Sequence, residues 1–183
     1  MMTPAGALMI EHRLIERMVA LIGEQLARVR SRHDCDPVFI RAAVDFIRSY
    51  ADRCHHGKEE DILFRDLSER PLDEPLQVIL RELIDEHARS RQATGRLADA
   101  NERYRQGDGE ALAEIAERLE ELVTLYPRHI AKEDKRFFVP AQKCFSQPEL
   151  AAMLDQFWEF DRQLFHERYR EVVGQWEGAE HPQ

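Results

Sequence analysis

The 183-residue sequence predicts an all-α protein, an up-down-up-down four-helix bundle with an internal two-fold repeat and a C-terminal fifth helix. Four segments carry apolar residues at alternating spacings of three and four, which is typical of helices with one buried face. No segment shows the alternation of apolar and polar residues that indicates a β-strand. Hydrophobic residues make up 43% of the chain, which is enough for one core and favours a single bundle.

The first two helices are predicted from their apolar stripes and from a cap between them. The first stripe covers residues 8–29, and it includes His12 at a position that is otherwise given to apolar residues. Asp36 followed by Pro37 is typical of the N-cap and first turn of a helix, and a second stripe follows over residues 40–62.

Three further helices follow in the same way. The third stripe covers residues 76–97, and the Gly-Asp-Gly turn at residues 107–109 separates it from the fourth stripe at residues 112–137. Residues 146–149 form a Ser-x-x-Glu capping box, which predicts the start of a fifth helix with an apolar face over residues 150–164.

These elements predict three parts of the chain. Residues 1–145 form the four-helix bundle, residues 146–175 form a C-terminal helix packed on the bundle, and residues 176–183 form a frayed tail. The aromatic run at residues 157–160 is expected to cover the bundle, with a homodimer contact as the alternative.

Net charge, the N-terminal residues and the cysteine content limit which binding partners and which cellular compartment we expect. A net charge of −9 argues against nucleic acid or an anionic membrane as partner, because both require a cationic surface. The N-terminal residues do not match an export signal, and no apolar run is long enough to cross a membrane. Three cysteines without a CxxC spacing suit reduced thiols, so we expect a cytoplasmic protein.

Two His-x-x-x-Glu motifs repeat at an offset of 74 residues, His55 with Glu59 and His129 with Glu133. A single histidine precedes each motif, by 43 residues in the first half and by 42 in the second. The four-residue spacing places both side chains of a motif on one face of a helix, one turn apart.

The bundle topology predicts that these side chains meet in one layer of the core. The starts of the first and third helices and the ends of the second and fourth lie at the same end of such a bundle. Two buried carboxylates without a compensating cation cost several kcal/mol each, so a metal site is favoured over a buried network of histidine and glutamate. The candidate metal ligands are His12, His55, Glu59, His87, His129 and Glu133.

The ligand types indicate which metal this site takes. Nitrogen and oxygen donors without thiolate exclude an iron–sulfur cluster and disfavour a structural zinc site. Six protein ligands exceed what one open ion takes, whereas two ions that share Glu59 and Glu133 would use two imidazoles each. We therefore expect two iron ions, with manganese or zinc as possible substitutes.

Four stretches of the sequence resemble the hemerythrin-like (HHE cation-binding) family. They are EHRLIE (11–16), FIRSYADRCHHGKEEDILF (46–64), DEHARS (85–90) and LYPRHIAKEDKRFFVPA (125–141). The resemblance implies that the six candidate residues hold a non-haem di-iron centre, with Glu59 and Glu133 as bridges. It also implies binding of oxygen, nitric oxide or peroxide, in roles from carriage and sensing to stress defence.

Two functional classes follow from this resemblance. The first is a di-iron protein that binds or senses oxygen, nitric oxide, peroxide or iron. The second is a di-iron enzyme that detoxifies peroxide or nitric oxide or oxidises ferrous iron. Enzymatic turnover needs a proton supply, for which Tyr126 and Glu16 are the candidates that the sequence offers.

One departure from the oxygen-carrying members affects this choice. They have a second histidine one turn after the histidine of the third helix, where this chain has Arg91. The absence of that imidazole predicts that one iron lacks a ligand and that the diferrous protein oxidises in air.

His56 lies about 100° from His55 on an α-helix and is expected to be exposed. Glu60 and Asp134, next to the two bridging glutamates, are candidates to orient the histidines.

Overall fold

The structure is a computed structural model, and it describes the backbone of residues 2–179 and the side chains of residues 2–164. Among these residues the secondary structure is helical, without strands, which confirms the predicted fold class. The first, third and fifth helices are α1 (Pro4–Arg32), α3 (Glu74–Arg105) and α5 (Gln147–Ala179). The second, α2, is continuous over residues 37–68 and consists of Pro37–Phe46, the π-helical stretches Ile47–His56 and Glu59–Phe64, and Arg65–Ser68. The fourth, α4, consists of Ala111–Lys132, the π-helical stretch Glu133–Phe137, and Phe138–Gln142.

The predicted caps begin two of these helices. The Asp36 side chain accepts hydrogen bonds from the backbone N–H groups of Val38 at 2.9 Å and Phe39 at 3.2 Å. The backbone N–H and the hydroxyl of Ser146 both donate to Glu149, each at 2.7 Å. These bonds satisfy donors that a helix start leaves without an intrahelical partner.

The apolar core is divided into two clusters by a polar layer. In α1, for example, Leu8 belongs to one cluster and Ile15 to the other, with the buried His12 between them. The first cluster, on the side of the α1–α2 connection, includes Ile22, Leu26, Ile40, Leu97 and Leu119. The second cluster, on the side of α5, includes Leu63, Leu83, Phe137, Phe138 and Phe157. All four bundle helices pass from one cluster to the other, so each contributes residues to the polar layer.

The helix α5 packs on the bundle beside α2. Phe157 is buried in the second cluster and Phe160 packs against its edge, as expected for the aromatic run, whereas Trp158 is 52% exposed. Gly57 permits α5 to lie this close to α2, because a Cβ at this position would lie 2.7 Å from Cζ of Phe160. The helix continues through Ala179, beyond the predicted boundary, and residues 180–183 of the predicted tail lie outside the described residues.

Two further observations concern the apolar character of the helices and the cysteines. None of the helices within residues 2–179 combines the length and apolar character needed to cross a membrane. Cys35, Cys54 and Cys144 form no disulfide among the described residues, and their reduced state in the cell stays a prediction.

Candidate metal centre

The polar layer between the two clusters contains five imidazoles and two carboxylates. All seven side chains are at most 1% exposed, and they come from all four helices of the bundle. They are His12, His55, His56, Glu59, His87, His129 and Glu133. The layer is therefore shielded from water although every member has a strong donor or acceptor.

Several atoms of this layer have no hydrogen-bond partner. These atoms are both carboxylate oxygens of Glu59 and of Glu133 and Nε2 of His12, His55 and His56. A buried polar group without a partner destabilises the fold by about 1–3 kcal/mol, and more if it is charged. A cation bound among these atoms would compensate all of them at once, so the donor set fits a metal.

The two carboxylates lie between pairs of imidazoles. In Glu59, Oε1 lies 3.5 Å from Nε2 of His55, while Oε2 lies 3.4 Å from Nε2 of His87. In Glu133, Oε2 lies 3.2 Å from Nε2 of both His12 and His129. Each carboxylate thus faces one imidazole from the first half of the chain and one from the second.

The donor atoms form two groups, each compact enough to surround one ion. Within each group all ligand atoms lie within 4.8 Å of one another. The group called site A here consists of His12, His55, Glu59 and Glu133, and the group called site B consists of His56, Glu59, His87 and His129. Glu59 belongs to both groups, so the arrangement can hold two neighbouring ions that share this carboxylate.

Each imidazole is oriented by a carboxylate on a different helix or on the preceding turn. His12 Nδ1 donates to Asp134 at 2.7 Å, and His87 Nδ1 donates to Glu60 at 2.6 Å. These bonds place the proton on Nδ1 and leave the Nε2 lone pair directed into the layer. The other three such contacts are His55 with Glu11 at 2.8 Å, His129 with Glu86 at 2.9 Å, and His56 with Asp52 at 3.3 Å.

The orienting carboxylates are in turn paired with cations, of which Lys58 is buried and Arg13, Arg91 and Lys132 lie nearer the surface. Lys132 contacts Glu86 at 2.8 Å, and Arg91 contacts both Asp52 and Glu60 at 2.7 Å. Arg13 pairs with Asp134, and Lys58 pairs with Glu11. The centre is therefore surrounded by a ring of carboxylates and an outer ring of four cations, one from each helix of the bundle.

Without a cation, the local electrostatics favour the neutral imidazoles of His55, His56, His87 and His129 and the protonated carboxyls of Glu59 and Glu133. Burial lowers the pKa of His129 to about 4 and shifts the pKa of His55 and His56 well below the ordinary value. Burial raises the pKa of Glu59 and Glu133 well above the ordinary value, and for Glu133 the charge of Glu59 adds to the shift. A bound cation would reverse the preference of the two carboxyls, because it favours their ionised form, and it would bind the neutral imidazoles through their free lone pairs.

Among the outer carboxylates, Glu60 and Glu86 behave in the opposite way to Glu59 and Glu133. Burial acts to raise the pKa of Glu86, but hydrogen bonds from His129 and Lys132 outweigh it and lower this pKa to about 2. The pKa of Glu60 is lowered by its contacts with His87 and Arg91, again against the effect of burial. These residues are thus ionised acceptors that fix the imidazoles, as metal sites commonly require.

Comparison with known families identifies the domain. The family model of the hemerythrin HHE cation-binding domain matches residues 3–141, and it matches again over residues 78–179. The chain belongs to the hemerythrin HHE cation-binding domain family. A search of curated proteins finds no match to the chain.

The first match covers the whole bundle of this hemerythrin HHE domain, and the protein is a hemerythrin-like metal-binding domain. The second match begins within α3, at the start of the second half of the internal repeat. The predicted family and the predicted two-fold repeat therefore have the same structural basis, two helix pairs that contribute equivalent residues to one layer.

The structure brings all six sequence-predicted ligands into the polar layer of the hemerythrin HHE domain. It also places Glu60 and Asp134 where they orient His87 and His12, as the sequence suggested. Tyr126 is buried beside the layer, with its hydroxyl 2.8 Å from Ser90 Oγ. Glu16 is 42% exposed and pairs with Arg13 at 2.9 Å, so it is a surface carboxylate and not part of the centre.

The expectation that His56 is exposed is wrong. This residue is 1% exposed and belongs to site B, and it lies in the stretch Ile47–His56, whose backbone is π-helical and not α-helical. The i→i+5 bonding of a π-helix turns the chain less per residue than an α-helix does, so both His55 and His56 face the layer. The sequence argument assumed a rotation of 100° per residue, which applies only to an α-helix.

The inference drawn from Arg91 also changes. Arg91 points outward to Asp52 and Glu60, and His56 supplies a further imidazole on the same side of the centre. The described layer thus contains a fifth imidazole that the argument for oxidation in air did not count. Oxidation of the diferrous protein in air stays a prediction.

Sequence reasoning did not assign Glu11 and Glu86, which orient His55 and His129. A signal was available in the internal repeat, because the pair Glu11-His12 matches the pair Glu86-His87. Each of these glutamates is followed by a predicted ligand of its own helix, while its side chain reaches the ligand of the next helix.

Proposed function

We propose that this hemerythrin HHE domain holds two iron ions and binds a small ligand, oxygen, nitric oxide or peroxide, at the resulting centre. The observation that supports the proposal is the pair of four-residue groups that share Glu59. One ion would use the ligands of site A and the other the ligands of site B. Glu133 lies between His12 and His129 and would be a second bridge.

The donor set favours iron over other metals. Five imidazole nitrogens and two carboxylates provide intermediate donors without thiolate, a combination that suits iron and accommodates manganese or zinc. The four outer cations favour ionised orienting carboxylates, which raise the basicity of the imidazoles. Iron supplies the redox-active centre to which oxygen, nitric oxide and peroxide bind.

The surroundings of the centre favour a ligand of two or a few atoms. The seven residues of the layer are at most 1% exposed. A cavity of about 130 Å³ lies beside site B, lined by Asp52, Ser90, Arg91 and Thr94 among others. It reaches side chains that hold two residues in or beside the layer, because Asp52 faces His56 and Ser90 contacts Tyr126. A diatomic molecule or peroxide fits this approach better than an organic substrate does.

Binding or sensing is better supported than enzymatic turnover. A peroxidase or ferroxidase cycle consumes or releases protons at the centre. Of the two candidate proton donors, Glu16 lies at the surface and the Tyr126 hydroxyl is held by Ser90. Burial also raises the pKa of Tyr126, which disfavours release of its proton. The partner implied by the proposal is the small ligand itself, and a cytoplasmic location without nucleic acid or membrane partners stays a prediction.

Anaerobic ligand titrations test this function. The diferrous protein should change its absorption spectrum on addition of nitric oxide, oxygen or peroxide, with an end point near one ligand per centre. Continued consumption of peroxide beyond that end point would favour the enzymatic alternative. A diferrous protein whose spectrum responds to none of the three ligands would contradict the proposal.

A further inference from the structure

We infer that His56 is a metal ligand of site B, so that site B has three imidazoles and site A has two. This inference rests on the proposed di-iron function and assigns a role to one residue in it. Neither the two-fold repeat of the sequence nor the equal division of imidazoles that it suggests includes His56.

The position of His56 is that of a ligand. Its ring stacks on that of His87, with centroids 3.8 Å apart and planes inclined by 13°, and it meets the ring of His129 edge-on at 5.7 Å. Its Nδ1 faces Asp52 at 3.3 Å, while its Nε2 is buried without a partner. The same division, one nitrogen on a carboxylate and the other directed into the layer, applies to His12 and His55.

Packing alone does not explain a histidine at this position. The equivalent position in the second half of the repeat is Ile130, which is 3% exposed and belongs to the apolar cluster. A hydrocarbon side chain is thus sufficient to fill the equivalent space. An imidazole adds an unpartnered buried nitrogen, which destabilises the fold unless it binds a partner.

The backbone of α2 around His56 differs from the backbone of α4 around the equivalent Ile130. In α2 the residues up to His56 are π-helical, whereas in α4 the residues up to Lys132 are α-helical and Pro127 lies within them. The π-helical winding brings two consecutive histidines to the layer in the first half. The second half presents only His129. Short π-helical stretches occur preferentially at functional sites, because they are less favourable than an α-helix without a compensating interaction.

Arg91 contacts both carboxylates that face the stacked rings of His56 and His87. The guanidinium contacts Asp52 and Glu60, each at 2.7 Å, and these carboxylates face His56 and His87 respectively. One cation therefore positions two stacked imidazoles of the same site. The equivalent cations on the other helices serve one imidazole each.

The consequence is an asymmetric centre. The ion in site B would be held by three imidazoles, whereas the ion in site A would have two and more room for an exogenous ligand. The two irons should therefore be chemically distinct even before any small ligand binds.

The test compares His56→Ala with the matched variant Ile130→Ala, which removes a buried side chain from the equivalent position without removing a nitrogen. Both apo proteins are checked for folding by circular dichroism and then titrated anaerobically with ferrous iron against a competing chelator. His56→Ala should lose affinity for one of the two irons by about tenfold or more. Added imidazole should restore that iron. Ile130→Ala should hold both irons as the wild-type protein does.

A second measurement applies even if the alanine variant does not fold. In the wild-type protein loaded with diamagnetic zinc, the ¹⁵N shift of His56 Nε2 should move to the position of a metal-bound nitrogen. A His56 nitrogen at the free-imidazole shift, with His87 and His129 metal-bound, would overturn the inference and leave the proposed function intact. Full retention of both irons in His56→Ala would do the same. If no imidazole of the layer responds to metal, both the inference and the proposed function fail.

Discussion

Replacing one of the two buried carboxyl groups by an amide should stabilise the metal-free protein. Glu59 and Glu133 are fully buried, and burial raises the pKa of each well above the ordinary value of 4.5. The folded apo protein therefore retains a proton that the unfolded chain releases above about pH 4.5. This contribution to stability is complete at low pH and decreases as the pH rises toward the folded-state pKa. Glu59→Gln keeps the shape of the side chain and removes the titration.

The magnitude follows from proton linkage. Each pH unit above 4.5 adds about 1.4 kcal/mol to the free energy needed to keep one carboxyl protonated in the folded state. The stabilisation by Glu59→Gln should be about 1.4 kcal/mol near pH 5.5 and at most about 4 kcal/mol near pH 7.5. The buried histidines also titrate, but they are present in both proteins and their contribution cancels in the difference.

Urea denaturation of the chelator-treated proteins at several pH values measures this difference. The matched control is the adjacent Glu60→Gln, which removes an ionised acceptor of His87 and Arg91 and should destabilise the apo protein. A difference between wild type and Glu59→Gln that does not grow with pH would refute the account of the buried pair. In the presence of iron the sign should reverse, because Glu59 belongs to both metal sites and its loss should weaken both.

Three other predictions concern the metal, the ring of carboxylates and the helix α5. Chelation should lower the melting temperature of the wild-type protein. Iron at 100 times its dissociation constant should add about 2.7 kcal/mol to the free energy of unfolding. Equal melting temperatures of apo and holo protein would show that the site is not coupled to folding. Glu86→Gln should weaken metal binding by about 10–100-fold in a chelator competition, whereas Glu82→Gln, which removes only a contact with the side chain of Lys132, should not. Gly57→Ala should lower the free energy of unfolding by about 1–3 kcal/mol in urea, because its Cβ would meet a ring carbon of α5 at 2.7 Å. Gly95→Ala, where a Cβ meets nothing within 4 Å, should be neutral or stabilising, and equal effects at the two glycines would argue against close packing of α5.

The parts of the molecule that depend on helical periodicity could be predicted from the sequence. The apolar stripes predicted the order of the helices, and the Asp36 and Ser146 signals predicted two of the helix starts. The internal repeat placed six polar side chains in one layer, because bundle topology alone decides which helix ends share a level.

The position of His56 could not be predicted by the same reasoning. A local change from α- to π-helical winding depends on tertiary packing, although the apolar Ile130 at the repeat-equivalent position did indicate that position 56 is buried. Reading α2 as a regular α-helix directed His56 to the surface, although it is as deeply buried as His55. The missing imidazole was inferred separately, from Arg91 at the position where oxygen carriers have a histidine, and that inference did not count His56.

The pairing of carboxylates with histidines was only partly accessible. Glu60 and Asp134 follow the inner glutamates directly and could be proposed from that position. Glu11 and Glu86 act on a histidine of the following helix, so their role depends on distances between helices that periodicity does not supply.

The central claim is that one chain holds two ions that share carboxylates, and an iron count with a magnetic measurement tests it most directly. The apo protein is reconstituted anaerobically with ferrous iron, freed of excess metal, and analysed for iron and for magnetic coupling between the ions. The proposed function predicts two irons per chain, coupled through Glu59, which belongs to both sites, and through Glu133 as a second bridge. A reproducible value of one iron per chain, or two irons without coupling, would contradict it.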